Sequence, residues 1–212
     1  MEWLILFMIG GFAYLLGSIP TAYLFGKAKK GIDIREHGSG NVGATNAFRV
    51  LGKLPGILVL AIDIIKGAVA ITLLPRLIKP VTPIDYSWLL AILGMLAIAG
   101  HIWTPFLQFK GGKGVATSLG VFLFLDPIST LIALGVWLVT LLLFRYVSIS
   151  SMTAAITLPV AMASFLRPFP TVLFSSIACI IICYKHKSNL QKLLLGTEKK
   201  IGKTPLSLFP FP

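Results

Sequence analysis

The feature that most limits what this chain can fold into is its series of long apolar runs. Trp3 to Phe25, Leu54 to Leu74, Ser87 to Phe106 and Val147 to Leu166 each reach the ~20 residues needed to cross the hydrocarbon core of a bilayer. With 56% of the 212 residues apolar and only 12% charged, the balance is not that of a soluble globular domain. The chain reads as lipid-embedded and all-α, because a helix satisfies its own backbone polar groups where no water can. The first run follows Glu2 and lacks the basic start and small-residue cleavage site of a signal peptide, so it is expected to remain as the first span.

Three further apolar segments are shorter: Ile128 to Phe144, Thr171 to Tyr184, and Val115 to Leu125, whose length suits a re-entrant or partly buried helix as well as a span. Length alone leaves five to seven spans. Charge placement decides, since Lys and Arg collect on the cytoplasmic side. With seven spans and the N-terminus outside, Lys27, Lys29, Lys30, Arg35, Arg49, Lys53, Lys110, Lys113 and Arg145 all face inside, together with the six lysines from Lys185 to Lys203. Only Arg76, Lys79 and Arg167 fall outside, and Lys66 lies within the second span. Dropping any one short span would put the lysine-rich C-terminal segment opposite the first basic loop. The expectation is therefore a polytopic bundle of seven transmembrane helices, the fourth short or tilted, with a cytoplasmic C-terminus. Residues 1–202 form one membrane domain and 203–212 a tail, and the connections at Pro75 to Tyr86 and Arg167 to Pro170 read as turns.

A net charge of +12, from 19 Lys and Arg against 7 Asp and Glu, points to anionic headgroups or anionic ligands. It does not point to nucleic acid, because the charges sit in short loops between apolar runs. Cys179 and Cys183 share a helix face and read as packing residues. His37, His101 and His186 have no metal-ligating neighbours at useful spacing, so no metal site is expected.

Three polar segments remain to carry chemistry. In the first, from Asp33 to Gly52, Gly38, Gly40 and Gly43 allow tight turns that present backbone N–H groups, as an anionic oxygen requires. Ser39, Asn41, Thr45 and Asn46 add short hydrogen-bonding side chains, and Arg49 can grip a phosphate bidentately. The second segment places Lys110-Gly111-Gly112-Lys113-Gly114 at a helix start, which favours anions. It is no nucleotide-binding Walker loop: Leu107 stands where the first glycine belongs, and Gly114 where Ser or Thr would hold magnesium. The third, from Tyr184 to Gly202, holds His186 and Asn189 three apart and a single acid, Glu198. Asp63 and Lys66 are also three apart within a span, so they pair with each other or face a polar cavity. His101 reads as a hydrogen-bonded structural residue rather than a base.

Taken in order, Gly38-Ser-Gly-Asn-Val-Gly-Ala-Thr-Asn46 with Arg49, Gly100-His101 with Phe109-Lys-Gly-Gly-Lys-Gly-Val-Ala-Thr117, and His186 with Asn189 and Gly196-Thr-Glu198 resemble the three signature motifs of the bacterial acyl-phosphate-dependent glycerol-3-phosphate acyltransferases. The resemblance runs from the first span to about Gly202. Its departures are mild: Trp103 for phenylalanine, Leu190 for isoleucine and Lys192 for arginine. It implies transfer of a long acyl chain from acyl phosphate to the 1-hydroxyl of glycerol 3-phosphate, giving lysophosphatidic acid and phosphate, the first acylation of phospholipid synthesis. It implies no cofactor, a bacterial inner-membrane location with the site toward the cytoplasm, and contact with membrane lipids and with the soluble enzyme that makes acyl phosphate. Ser39, Arg49, Lys113 and His186 are then the catalytic group, and Gly38, Gly40, Asn41, Gly43, Thr45, Asn46, Lys110, Gly111, Gly112, Gly114 and Asn189 bind substrate. Asp63, Lys66, His101 and Glu198 take structural or charge-pairing roles. The His-x4-Asp motif of other glycerophosphate acyltransferases is absent.

The residues by themselves suit that chemistry, which needs two anion sites and a lipid slot. Acyl phosphate is an activated mixed anhydride, so positioning and charge neutralisation supply much of the rate without a covalent intermediate. Direct attack by the glycerol hydroxyl is the expectation, with Arg49, Lys110 and Lys113 neutralising phosphate and the amides around Ser39 and Gly40 and the Asn46 side chain orienting groups. Either His186 or the donor's own phosphate takes the proton. A covalent Ser39 ester is the enzymatic rival, and a small transporter for an organophosphate or anion is the rival from another class.

Overall fold

The computed structural model describes residues 1–78 and 82–202, and among them every regular element is helical. The expectations for Lys79 and for the tail 203–212 fall outside the described residues. The first apolar run is not one helix, as expected, but two: α1 (Glu2–Ser18) and α2 (Thr21–Lys30), bent by 41°. Pro20 has no N–H to give and its ring clashes with a helical backbone, so the run breaks there. The break frees carbonyls, and both are used: Lys66 Nζ donates to Ile19 O at 3.1 Å and Thr104 Oγ1 to Ser18 O at 2.7 Å.

A 3-10 turn (Ile34–Glu36) and α3 (Ala44–Leu51) carry the first polar segment. There follow α4 (Lys53–Thr72), the short α5 (Leu74–Ile78), α6 (Tyr86–Ile102), α7 (Val115–Leu125), α8 (Pro127–Phe144), α9 (Val147–Ser164), α10 (Phe169–Lys185) and α11 (Lys187–Leu194). Four helical stretches are long and apolar enough to cross a membrane, namely 53–78, 86–107, 127–144 and 147–164. The count rises to 6 if α1 with α2, and α10 with α11, are each one bent span. α7, at 11 residues, extends ~16 Å, about half the hydrocarbon thickness.

Small residues let these helices touch. Gly67 of α4 lies against the Thr117 carbonyl of α7 and Gly120 of α7 against the Ile64 carbonyl of α4, so the two backbones cross with no side chain between them. A dry core of Ile71, Ile98, Val121, Phe122, Met162 and Phe174 fills the centre, with Phe122 and Phe174 stacked at 4.6 Å between centroids. Facing outward are Leu4, Phe7 and Phe12 of α1 and Leu131, Leu138 and Leu142 of α8, large apolar side chains that only lipid or another apolar surface covers favourably. At one end Arg167 grips Asp126 through two hydrogen bonds of 2.9 Å, clasping the α7–α8 turn to the α9–α10 turn.

Candidate active site

At the other end α3, the start of α7 and the α10–α11 junction converge on a cavity of about 460 Å³ that continues down between α7, α8, α9 and α10. Its mouth is polar, lined by Ser39, Asn41, Thr45, Arg49, Lys113, His186, Asn189 and Glu198. Its depth is mostly apolar, lined by Leu119, Phe122, Ala133, Leu134, Trp137, Leu158, Cys179 and Ile182. The mouth is recessed. α7 and α8 share the Asp126 turn, but α8 has 18 residues to α7's 11, so at ~1.5 Å per residue Gly114 stops about 10 Å short of the end of α8.

The Gly38 loop is built around Asn46. Its Oδ1 accepts from the Ser39 N–H at 2.8 Å, and its Nδ2 donates to Ile34 O at 3.2 Å and His37 O at 3.0 Å. Gly38 has φ 67°, and a Cβ there would collide with the Asn46 amide, so only glycine fits. Two expectations change in consequence. Asn46 is committed to the loop, and the Ser39 and Gly40 N–H groups, the latter bonded to His37 O at 3.1 Å, are no longer free for an anion. Ser39 stays exposed at the mouth, Asn41 and Thr45 are half-buried there, and Gly40 does not line the cavity while Gly38 and Gly43 do.

The Lys110–Gly114 loop divides similarly. The N–H groups of Gly111 and Gly112 donate to Ile102 O and His101 O, each at 3.0 Å, folding the loop back on the end of α6, and Gly112 packs directly on the His101 ring. Lys110 is exposed and outside the cavity; Lys113 and Gly114 line it. Lys110, Gly111 and Gly112 thus do not line the cavity, and the Gly111 and Gly112 N–H groups are used in shaping the loop. The Lys113 ammonium donates to Asn189 Oδ1, and Asn189 Nδ2 donates to Glu198 Oε1 at 2.6 Å. Burial pushes the Lys113 ammonium down to about 8, with Glu198 opposing the shift. Arg49 donates to Lys199 O at 3.2 Å and stays exposed, and with Lys113, Lys192 and Lys199 it gives the cavity lining four basic side chains against two acids, Asp63 and Glu198.

His186 caps α10, and its Nδ1 lies 2.8 Å from Ile182 O. A carbonyl only accepts, so Nδ1 carries the proton and Nε2 keeps its lone pair. Burial, then the nearby Lys113 charge, push the ring down to about 4, so it is neutral at pH 7 but weakly basic.

Beneath the mouth lies the charged group of α4. Lys66 Nζ is 2.8 Å from Asp63 Oδ1 and 2.9 Å from His101 Nδ1, and Thr21 Oγ1 donates to Asp63 Oδ1 at 3.0 Å. An ammonium only donates, so His101 Nδ1 accepts and its proton sits on Nε2. The transporter reading drew on basic residues and broken helices, with Asp63 and Lys66 as its features at suitable depth; Lys66 is engaged with Asp63, His101 and the Ile19 carbonyl. Among the described residues no group of three or more His, Cys, Asp or Glu side chains suits a metal ion.

Sequence reasoning called for a lipid slot and singled out Gly196-Thr-Glu198, but it did not give the residues that line the slot or the place of that segment across the mouth. Thr197, Glu198 and Lys199 line the opening, and the Ile201 N–H bonds to Arg145 O at 2.9 Å, so this stretch straps α3 to the α8–α9 turn. Of these, Thr197 and Glu198 carried a signal, both within the third motif and Glu198 also as the lone acid of a basic segment, whereas Lys199 and Ile201 carried none.

A family model described as glycerol-3-phosphate acyltransferase matches residues 5–196. The chain is 43% identical to glycerol-3-phosphate acyltransferase 2 of Moorella thermoacetica, covering 95% of this chain and 98% of that protein. It is 46% identical to glycerol-3-phosphate acyltransferase of Thermosynechococcus vestitus, covering 93% and 96%. Among solved structures it is similar to PlsY (YgiH), an integral membrane glycerol 3-phosphate acyltransferase. In the glycerol 3-phosphate form the TM-score is 0.83 at 37% identity, over 93% of this chain and 96% of that one. In the lysophosphatidic acid form it is 0.80 at 37% identity, over 93% and 95%.

Proposed function

The chain belongs to the glycerol-3-phosphate acyltransferase family and is an integral membrane acyltransferase; we propose that it moves a fatty acyl group from acyl phosphate directly to the 1-hydroxyl of glycerol 3-phosphate. The observation that carries this reading is the continuity of one cavity from a cationic, recessed mouth to an apolar slot. An acyl phosphate is a phosphate on an alkyl chain, and such a cavity receives both ends at once. Arg49 and Lys113 hold phosphate, with Ser39, Asn41, Thr45 and Asn189 as hydrogen-bonding partners around it. Attack by the 1-hydroxyl on the acyl carbon forms the ester C–O bond and breaks the anhydride C–O bond, releasing inorganic phosphate.

The hydroxyl proton goes to the departing phosphate. His186 Nε2 can orient the hydroxyl as an acceptor, but a ring held near 4 is a poor base at neutral pH. A covalent Ser39 ester lacks support, since among the described residues the Ser39 hydroxyl makes no hydrogen bond to a histidine that could activate it. Seven spans, with α7 as the short fourth and the basic mouth toward the cytoplasm, suit the distribution of Lys and Arg. That orientation also suits supply of acyl phosphate by a soluble enzyme and release of product into the lipid.

Purified protein in lipid is expected to make lysophosphatidic acid from palmitoyl phosphate and glycerol 3-phosphate. Activity that requires acyl-CoA would overturn the donor. A radiolabelled acyl-protein lost in Ser39→Ala would overturn direct transfer. Single cysteines at Ser39 and Thr82, probed from either side of intact cells, are expected to react from opposite sides.

A further inference from the structure

Asp63 is buried, lines the cavity below its mouth, and divides its carboxylate unequally. Oδ1 takes the Lys66 ammonium at 2.8 Å and the Thr21 hydroxyl at 3.0 Å, while His101 Nδ1 acts on it only through Lys66. Oδ2 is equally buried and meets no hydrogen-bond partner among the described residues. On α7, the buried Ser118 hydroxyl lines the same cavity and likewise has no partner. The two residues flank the α4–α7 crossing: Asp63 is one turn before Gly67, and Ser118 two residues before Gly120. Ser148 Oγ, on α9, is a third atom of the cavity lining without a partner among the described residues, but only Asp63 and Ser118 belong to the α4–α7 pair. Buried polar atoms are nearly always paired, and such orphans in one cavity ask for a ligand.

The chemistry of the orphans restricts that ligand. A carboxylate oxygen accepts only, and it repels phosphate, whose oxygens also only accept. An alkyl chain offers no donor. A hydroxyl both gives a proton and accepts one, so it satisfies Asp63 and Ser118 together. On the reading of the acceptor as glycerol 3-phosphate, on which this inference rests, the 1-hydroxyl must face the acyl carbon, which leaves the 2-hydroxyl. We propose that Asp63 Oδ2 and Ser118 Oγ form a subsite for the secondary hydroxyl of the acceptor, selecting a polyol phosphate over a simple alcohol phosphate. Lys66, Thr21 and His101 are then positioning residues that aim Oδ2 at the cavity.

The test compares glycerol 3-phosphate with 3-hydroxypropyl phosphate, which lacks only that hydroxyl, using palmitoyl phosphate as donor and the full chain in lipid. The unaltered protein is expected to lose about tenfold or more in kcat/KM on the second acceptor, the scale at which a polar site rejects an analogue lacking its hydroxyl. Asp63→Asn puts an amino group in the place of the free oxygen, and Ser118→Ala removes the other partner. Each is expected to shrink the discrimination to a few-fold or less, which a purely structural role would not do. Equal use of the two acceptors by the unaltered protein, or full discrimination in Ser118→Ala, overturns the subsite. Should Asp63→Asn not fold, Ser118→Ala decides, since its hydroxyl bonds to nothing else. Calorimetric binding of the two acceptors without donor gives the same comparison. Failure to acylate glycerol 3-phosphate at all counts against the proposed function and leaves this binding comparison to stand by itself.

Discussion

Asn46 lines the cavity yet spends its amide on the loop that carries Ser39. Its amide joins three backbone groups of the Gly38 loop, so Asn46→Asp, nearly identical in shape, would turn a donor into an acceptor facing two carbonyls. A lost buried donor costs about 1–3 kcal/mol, so kcat/KM is expected to fall about tenfold or more, with the folded protein still recovered in detergent. Lys113 makes a different prediction at the same scale. Its ammonium is held near 8, so below that pH it is charged and able to hold phosphate, and as pH rises through about 8 the charge is lost. Affinity for phosphate-bearing substrates is expected to fall across that window in a pH series of KM, and Lys113→Arg is expected to move the alkaline limb upward. An unchanged alkaline limb in Lys113→Arg would count against Lys113 as the titrating group. Bound phosphate favours the ammonium, so binding at pH 8 to 9 should take up protons, which calorimetry in buffers of different ionisation enthalpy can measure.

Among the elements, α7 departs furthest from an ordinary span and explains most about the site. Because it is short, the glycine loop at its start sits below the level of the neighbouring helix ends, and Lys113 there is partly shielded from water. Its position depends on direct backbone contact with α4 at Gly67 and Gly120. A methyl group at Gly120 would press on the Ile64 carbonyl, which cannot swing aside as a side chain would. Gly120→Ala is therefore expected to part the two helices, lower the thermal midpoint by several degrees for about 1–3 kcal/mol of overpacking, and reduce activity through Lys113. Gly135, with open space around it, is the control: Gly135→Ala should leave both unchanged. The proline break between α1 and α2 belongs to the same scale. The carbonyls it frees are held by Lys66 and Thr104, so a helix defect in one element anchors the charged group of another.

For the whole molecule, the arrangement that counts is a polar mouth and an apolar slot in one continuous cavity. Ala133 lines the slot where α8 faces the interior, and Ala133→Phe would fill part of its depth. Palmitoyl phosphate is expected to lose about tenfold or more in kcat/KM while a six-carbon donor is little affected, because burying each extra methylene is worth about 0.8 kcal/mol only where there is room. Equal losses with both donors would show that the chain lies elsewhere. Much of this protein was legible in the residues. The apolar runs announced helices in lipid, and the boundaries of Val115 to Leu125 agree with α7, because local composition dictates which segments avoid water. The three motifs announced the family and the phosphate chemistry, since those groups lie close together in sequence. What the sequence could not tell was which members of each motif face the cavity. The Ser39, Gly40, Gly111 and Gly112 amides and the Asn46 side chain are spent on shaping loops, and only the tertiary partners reveal it. The lining of the apolar slot, drawn from four helices, the place of the strap at residues 197–201 and the unpaired oxygen of Asp63 were equally hidden. Local sequence determines what a segment avoids and what groups it carries; whether a given N–H, carboxylate oxygen or methyl group is left over for a ligand depends on contacts between residues far apart in the chain.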